Sequence, residues 1–139
     1  MRLIECATLQ LHEFFDDEIP PYAILSHTWT KGQEISFQDF QLLASPATDS
    51  GQGGICDGLR QRSGYRKILS CVKQALADGH AWVWIDTCCI DKSSSSELSE
   101  AINSMYRWYK GSLVCYALLD DVAVTAGDFV HQFQNSRWW

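Results

Sequence analysis

Positive charge is scarce in this chain of 139 residues. Its 11 Lys and Arg residues face 17 Asp and Glu residues, which gives a formal net charge of -6 and an isoelectric point near 5.0. No cluster of basic side chains offsets this charge, and an acidic surface repels a phosphate backbone. The sequence therefore argues against a nucleic-acid partner.

Long apolar runs and secretion signals are also missing. The apolar stretches are much shorter than the roughly 20 residues that a membrane-spanning helix needs. No basic and apolar leader follows Met1, and the chain has no Asn-x-Ser/Thr glycosylation acceptor. We therefore expect a cytoplasmic protein without a membrane span, in which residues 1–139 form one domain.

Familiar nucleotide and metal motifs are absent as well. The chain contains neither G-x-x-x-x-G-K-[ST] nor G-x-G-x-x-G, and its six cysteines include no Cys-x-x-Cys pair. The cysteines are scattered through apolar segments rather than spaced as in a small disulfide-bonded domain. We predict reduced thiols and no metal site.

Three apolar runs, at residues 22–25, 81–85 and 113–119, have the length and composition of buried strands. Amphipathic helices are predicted at residues 65–78 and after Ser94, which can cap the second helix three residues before Glu97. Strands that alternate with helices predict an α/β fold, a parallel sheet flanked by helices, with a short N-terminal β segment within residues 2–15. Residues 44–63, rich in Gly, Ser and Asp, are predicted to be a mobile loop insertion.

The helix after Ser94 carries one obvious apolar stripe. Its members recur at helical spacing and are expected to face the sheet: Leu98, Ile102, Met105, Tyr106 and Tyr109. Glu100 lies on a polar stripe of the same helix, where ion pairing is its expected role. This assignment of faces predicts that Ile102 is buried.

Ligands of parallel sheets bind beyond the carboxyl ends of the strands, and each predicted strand here ends in polar residues. The predicted pocket rim consists of Ser26, His27, Trp29, Asp86, Cys88 and Asp120. The adjacent pair Cys88 and Cys89 permits a thiol nucleophile with His27 as its base, but cysteines are more often buried core residues. Two interpretations are open for Trp29 as well: it can belong to the core, or it can stack on a planar ligand.

Long motifs in the chain resemble the heterokaryon incompatibility (HET) domain of filamentous fungi. They are Pro-Tyr-Ala-Ile-Leu-Ser-His-Thr-Trp at 21–29, Gly-Tyr-x-Lys-Ile at 64–68, Trp-Ile-Asp-Thr-Cys-Cys-Ile-Asp-Lys at 84–92, and Glu-Leu-Ser-Glu-Ala-Ile-Asn-Ser-Met-Tyr-x-Trp-Tyr at 97–109. The resemblance implies a signalling module in nonself recognition and programmed cell death. It acts by self-association or by binding protein partners, and is normally joined to further C-terminal domains.

The HET domain is in turn distantly similar to the Toll/interleukin-receptor (TIR) fold, a flavodoxin-like arrangement. Some TIR domains cleave NAD, so this similarity implies a second hypothesis, an NAD or nucleotide glycohydrolase that uses the strand-end pocket. The family pattern continues past residues 136–138 into a Trp-Thr-x-x-Glu-Leu-like helix, which resembles the helix carrying the catalytic glutamate in NAD-cleaving relatives. The chain ends at Trp139, so we expect a C-terminally truncated domain without that glutamate. Glu100 is then the one weak candidate for a catalytic carboxylate.

Overall fold

The computed structural model describes residues 1–45, 53–122 and 129–138. The strands are β1 (Arg2–Glu5), β2 (Leu11–Glu13), β3 (Ala23–His27), β4 (Trp82–Trp84) and β5 (Val114–Leu118). The helices are α1 (Phe37–Ala44), α2 (Gly53–Gln61), α3 (Ser63–Ala77), α4 (Ser95–Gly111) and α5 (Phe129–Gln134), with a 3-10 turn at Asp16–Glu18. The α/β class is confirmed, and strands form at the three predicted positions. Strand β5 is only partly buried, however, because it lies at the edge of the sheet.

The five strands form one sheet in the order β2-β1-β4-β3-β5. Strand β3 lies at the centre of the parallel part, with Ala23 opposite both Val83 of β4 and Val114 of β5. Strand β1 runs antiparallel to β4 and to β2. The predicted N-terminal β segment is therefore confirmed, but the sheet is mixed rather than wholly parallel, because β1 inserts beside β4.

The inner strands β3 and β4 are largely buried on both faces, as their apolar runs predicted, whereas alternate residues of the edge strand β5 are exposed. Trp84 of β4 is fully buried and its indole ring lies 5.5 Å from Trp108 and 6.0 Å from Tyr109, both on α4. Val83, which precedes Trp84 in the same strand, points to the other face of the sheet and is also fully buried. Helix α3 contributes Ile68, Cys71, Val72 and Ala75 to the same core. Contacts on both faces fix the register of the parallel strands.

Helix α4 begins as predicted, but its packed face is rotated relative to the predicted apolar stripe. Leu98, Met105 and Tyr109 of that stripe pack against the core, whereas Ile102 and Tyr106 are exposed. The Ser94 hydroxyl accepts a hydrogen bond from Glu97 N, as the capping pattern requires. The buried residues are Ala101 and Ser104, however, while Ile102 is 62% exposed and Tyr106 is 79% exposed. The prediction that Ile102 is buried is wrong. Trp108 and Tyr109 of α4 pack on the Trp84 indole, and this orientation turns Ala101 and Ser104 inward while Ile102 and Tyr106 face solvent.

The predicted loop at residues 44–63 contains a helix. Helix α2 covers Gly53–Gln61, and α3 begins two residues later; residues 46–52 of this segment lie outside the described residues. Leu59 is the buried residue of α2 and joins the main core. The loop prediction failed because glycines at 53, 54 and 58 suppress the helical signal, whereas packing of Leu59 and contacts with α1 and α3 supply the stability.

Gly64 marks the closest approach between α3 and the loop before α1. Its N–H donates to Gln33 O at 3.1 Å. A Cβ atom at this position would lie 2.5 Å from Gln33 O and 2.7 Å from Glu34 Cα, distances that backbone atoms cannot accommodate without moving. Glycine is therefore required by contact here, not by an unusual backbone angle.

We predict that Gly64→Ala lowers the free energy of unfolding by about 1–3 kcal/mol, because the added methyl group overpacks this contact. Gly58→Ala is the matched control, since a Cβ at Gly58 meets no atom within 4 Å. That substitution should stabilise α2 by about 0.5–1 kcal/mol. Urea unfolding followed by circular dichroism measures both, and equal effects at the two glycines would contradict the close approach.

The corrected orientation of α4 predicts opposite outcomes at neighbouring positions. Ala101 is 1% exposed, so Ala101→Asp places an unpaired charge in the core and should cost at least about 4 kcal/mol. Ile102→Asp faces solvent and should cost less than about 1 kcal/mol. Thermal melting of the two variants separates them. If the Ile102→Asp protein lost its melting transition while the Ala101→Asp protein kept it, the face predicted by the apolar stripe would be the buried one.

Candidate functional site

His27, Trp29 and Asp86 meet at the carboxyl edge of the parallel strands. His27 Nε2 lies 3.0 Å from Asp86 Oδ1, and the indole Nε1 of Trp29 donates to Asp86 Oδ2 at 3.1 Å. These residues follow β3 and β4, which run side by side and end at the same edge. The structure brings these three residues of the predicted rim together, and both carboxylate oxygens of Asp86 are engaged within the chain.

The second nitrogen of the His27 ring faces another carboxylate. Nδ1 lies 4.0 Å from Glu34 Oε2, is buried, and has no hydrogen-bond partner. The side chain of His27 is only 2% exposed. His27 thus bridges Asp86, which follows β4, and Glu34, which precedes α1.

Lys67 of α3 connects this group to the end of β5. Its Nζ donates to Thr28 O at 2.7 Å and to Glu34 Oε1 at 2.9 Å, and lies 3.6 Å from Asp120 Oδ2. The side chain is 6% exposed, so the ammonium group is almost removed from water. A buried charge requires this kind of pairing, because desolvation alone would cost several kcal/mol.

Asp120 is held from several directions. Its Oδ1 accepts hydrogen bonds from Thr28 Oγ1 at 3.2 Å and from Arg137 at 2.7 Å. Partial burial by itself would raise the pKa of the Asp120 carboxyl, but the Arg137 hydrogen bond and the Lys67 ammonium outweigh it, so this pKa lies below its usual value. Asp120 is therefore an anion that completes the network.

Trp29 is the aromatic residue most available to a ligand at this edge. It is 53% exposed, but the Lys92 ammonium lies 3.7 Å from the centroid of its ring. Burial lowers the pKa of Lys92, an effect that the nearby Asp86 carboxylate opposes. A cation thus already covers one face of the indole ring. A planar ligand would have to stack on the opposite face or displace Lys92.

Ser26 lies at the same edge, half-buried near the end of β3. It is paired with Ala117 in the sheet, and its side chain contacts the hydroxyl group of Tyr109. Burial raises the pKa of Tyr109, and the hydrogen bond with Ser26 opposes this rise. Ser26 therefore joins the sheet edge to α4.

Cys88 was predicted at the rim, and the structure corrects this. The residue is 0% exposed, and its thiol points to Ile85 O at 3.9 Å. Burial raises the pKa of the Cys88 thiol well above its ordinary value, so the thiolate needed for nucleophilic attack is strongly disfavoured. The neighbouring Cys89 is also buried, with its sulfur accepting from Ile85 N. The turn after β4 folds back into the core, which is why both thiols face inward.

Glu100 lies on a different part of the surface. It is exposed on α4 and lines a depression together with Arg2, Glu97 and Trp108. Among the described residues Glu100 makes no hydrogen bond or ion pair. Arg107, which shares its predicted polar stripe, donates a hydrogen bond to Ser104 instead. The structure thus separates the one candidate catalytic carboxylate from the network of His27 and Asp86.

Sequence reasoning missed Lys67 and Glu34, which hold the network together. A signal for Lys67 was present, because it occupies a position of the buried α3 stripe of Gly64, Ile68, Cys71 and Ala75. A lysine at such a position needs buried carboxylate partners. Glu34 gave no comparable signal, since it lies in a short polar loop.

No cluster of three or more potential metal ligands is found among the described residues, and all six cysteines are free thiols. None of the helices in the described ranges is long and apolar enough to cross a membrane.

We predict that Lys67→Met lowers the free energy of unfolding by about 3–5 kcal/mol, because it leaves the partly buried carboxylates of Glu34 and Asp120 without their shared cation. Lys73→Met, on the exposed side of the same helix, should change it by less than about 0.5 kcal/mol. Guanidinium unfolding of the two variants tests this difference. Equal free energies of unfolding for the two variants would show that the ion pairs of Lys67 contribute nothing to stability.

The chain was compared with known proteins. The profile of the family described as "Heterokaryon incompatibility protein (HET)" matches residues 22–138. The chain is also 42% identical over 130 residues to "Vegetative incompatibility protein HET-E-1" of Podospora anserina, an alignment that covers 88% of this chain and 8% of that relative. The chain therefore spans only about 8% of the length of this curated relative.

No solved structure gives a significant match, so the flavodoxin-like and TIR-like arrangement stays a prediction. The family match extends from the start of β3 to Trp138 and includes every residue of the network formed by His27, Asp86, Glu34, Lys67 and Asp120. On this match, and on its identity to HET-E-1, the chain belongs to the heterokaryon incompatibility (HET) family.

Proposed function

We propose that the chain is a signalling module of heterokaryon incompatibility, which acts in nonself recognition and cell death by contact with other proteins in the cytoplasm. The proposal starts from family membership and from the similarity to HET-E-1, a vegetative incompatibility protein. The small share of that relative covered here is consistent with further domains that act together with this one.

One observation favours a binding role over an enzymatic one. The carboxylates at the strand edge are engaged by partners within the chain: Asp86 by His27 and Trp29, Glu34 by Lys67, and Asp120 by Thr28, Lys67 and Arg137. Cleavage of a glycosidic bond passes through an oxocarbenium-like transition state that a positioned carboxylate stabilises. A carboxylate whose oxygens are already held by donors within the chain is less available to that chemistry.

The alternative is an NAD or nucleotide glycohydrolase, with NAD as its substrate. The observation in its favour is the exposed Trp29 ring beside Asp86, since aromatic rings stack on planar ligands. Two features weigh against it: Lys92 covers one face of that ring, and Glu100 lies elsewhere on the surface. Binding by self-association or by a partner remains the better supported proposal.

The test measures signalling and catalysis separately. Induced expression of the chain in a filamentous fungus is expected to arrest growth without a fall in cellular NAD, and the purified chain is expected to release no nicotinamide from NAD above a protein-free blank. The Ala101→Asp variant, expected to be unfolded, controls for toxicity of overexpression. Nicotinamide release by the purified chain that is lost in Glu100→Gln would establish the enzyme instead.

A further inference from the structure

The two outer strands of the sheet differ in how their outer edges are protected. Strand β2 has three residues and carries His12 and Glu13, of which Glu13 is ion-paired with Arg2. Short strands and charged side chains are features by which proteins prevent further pairing at a sheet edge. Strand β5 has five residues, Val-Cys-Tyr-Ala-Leu, and none of them is charged or a proline. Of the two outer edges, that of β5 lacks this protection.

The outer edge of β5 is unpaired within the part of the chain that the structure describes. Its inner edge pairs with β3 along all five residues, and β5 is the last strand in the sheet order. The Trp138 indole donates to Leu118 O at 3.2 Å, which covers only the carboxyl end of the strand. Cys115 and Ala117, in the middle of β5, are exposed. A strand edge of this kind offers backbone N–H and C=O groups to a second extended strand.

A groove of about 470 Å³ runs beside this edge, between β5 and α3, and its lining includes Leu25, Cys71 and Leu118. The Tyr116 hydroxyl donates to Asp78 Oδ2 at 2.6 Å, just past the end of α3, so Tyr116 lies on this face of the sheet. Side chains alternate between the two faces of a strand, which places Leu118 on the same face. A strand added to β5 would therefore lay every second side chain along the groove.

The charges near the edge do not select a charged partner. Residues 111–119 contain no charged side chain. In the groove, the Lys67 ammonium group is already paired with Glu34 and lies 3.6 Å from Asp120, and Asp78 accepts hydrogen bonds from Tyr116 and Gln74. The strand that fits this edge is therefore uncharged, with apolar side chains at alternate positions.

We propose that the chain forms a homodimer in which the β5 strands of two copies pair antiparallel across a two-fold axis. The inference rests on the proposed function, since it names the surface through which self-association occurs. The two sheets then join into one continuous sheet, and the groove of each copy receives side chains from β5 of the other.

A second copy of the chain meets each requirement that the edge sets for its partner. A two-fold dimer uses the same surface on both copies, and an antiparallel strand pair is complementary to itself in its backbone donors and acceptors. Strand β5 is itself an open, uncharged strand, with Val114, Tyr116 and Leu118 alternating on the groove face. Because residues 111–119 are uncharged, pairing them with their own copy places no like charges opposite each other.

Sedimentation equilibrium of the purified chain, with its thiols kept reduced, should show a reversible monomer–dimer equilibrium. We expect a dissociation constant on the order of 10–100 μM, because one added strand buries less surface than a standard protein interface. Ala117→Lys should weaken the dimer at least about tenfold, since lysine at a strand edge opposes pairing. Ala7→Lys, at an exposed alanine in the turn after β1, adds the same charge elsewhere and should leave the dimer unchanged. A chain that stays monomeric, or equal effects of the two lysines, would overturn the proposal.

The salt dependence of the dimer is a second measurement. Each copy carries a formal net charge of -6, so two copies repel each other, and salt screens this repulsion. Raising the salt concentration from about 0.05 M to about 0.5 M should therefore strengthen a dimer that is held by backbone and apolar contacts. A dimer that salt weakens would be held by ion pairs elsewhere on the surface and would contradict pairing through β5.

Cysteine cross-linking then locates the contact. Cys115 is exposed on β5 and Cys56 is partly exposed on α2, whereas the other four cysteines are buried. In an antiparallel pair of β5 strands the two Cys115 thiols lie close to the two-fold axis, so a short bismaleimide should link the copies through them. Cys115→Ala should abolish the cross-linked dimer, and Cys56→Ala should retain it. The absence of a cross-link, or a cross-link that depends on Cys56, would show that β5 is not the contact.

These measurements are independent of the growth assay. A chain that arrests growth but stays monomeric would refute pairing through β5 and leave the proposed function standing. A chain that dimerises through Cys115 and Ala117 but never arrests growth would support the β5 contact and refute the proposed function.

Discussion

The buried ammonium group of Lys67 is the constraint on which the functional edge of the sheet depends. A cation that is 6% exposed cannot remain unpaired, and its partners come from separate parts of the chain: Glu34 before α1, the carbonyl of Thr28 after β3, and Asp120 after β5. The pairing of β3 with β5 already brings Thr28 near Asp120, and Lys67 joins Glu34 to them. The close approach of Gly64, one turn earlier in α3, brings the same helix against residues 33–35.

The network therefore accounts for the shape of the surface more than for a reaction. Its donors and acceptors are matched within the chain, apart from Nδ1 of His27 among the described residues. Such matching makes a polar cluster rigid and fixes one arrangement of the loops above it.

The features that sequence predicted well are those that local patterns encode. The apolar runs placed the three parallel strands, Ser94 marked the start of α4, and the common edge of parallel strands placed Asp86 beside His27. The errors have physical causes. The turn after β4 buries Cys88, Leu59 stabilises a glycine-rich helix through distant contacts, and the packing of Trp108 and Tyr109 on Trp84 sets the orientation of α4. Each of these features depends on contacts with residues far away in the sequence, and so does the pairing of β1 with β4. Local sequence patterns therefore could not predict them.

The strand order has a consequence for how the domain is made on the ribosome. Strand β3 is synthesised early, but its neighbours β4 and β5 follow about 60 and 90 residues later, and β1 must also wait for β4. Pairings this distant in sequence make folding slow relative to helical proteins. A nascent chain that has emerged only as far as α3 still lacks Asp86, which contacts His27 of the central strand, and Asp120, which contacts Thr28 just after it. In a newly made chain β3 therefore stays without its strand partners until β4 and then β5 have left the exit tunnel.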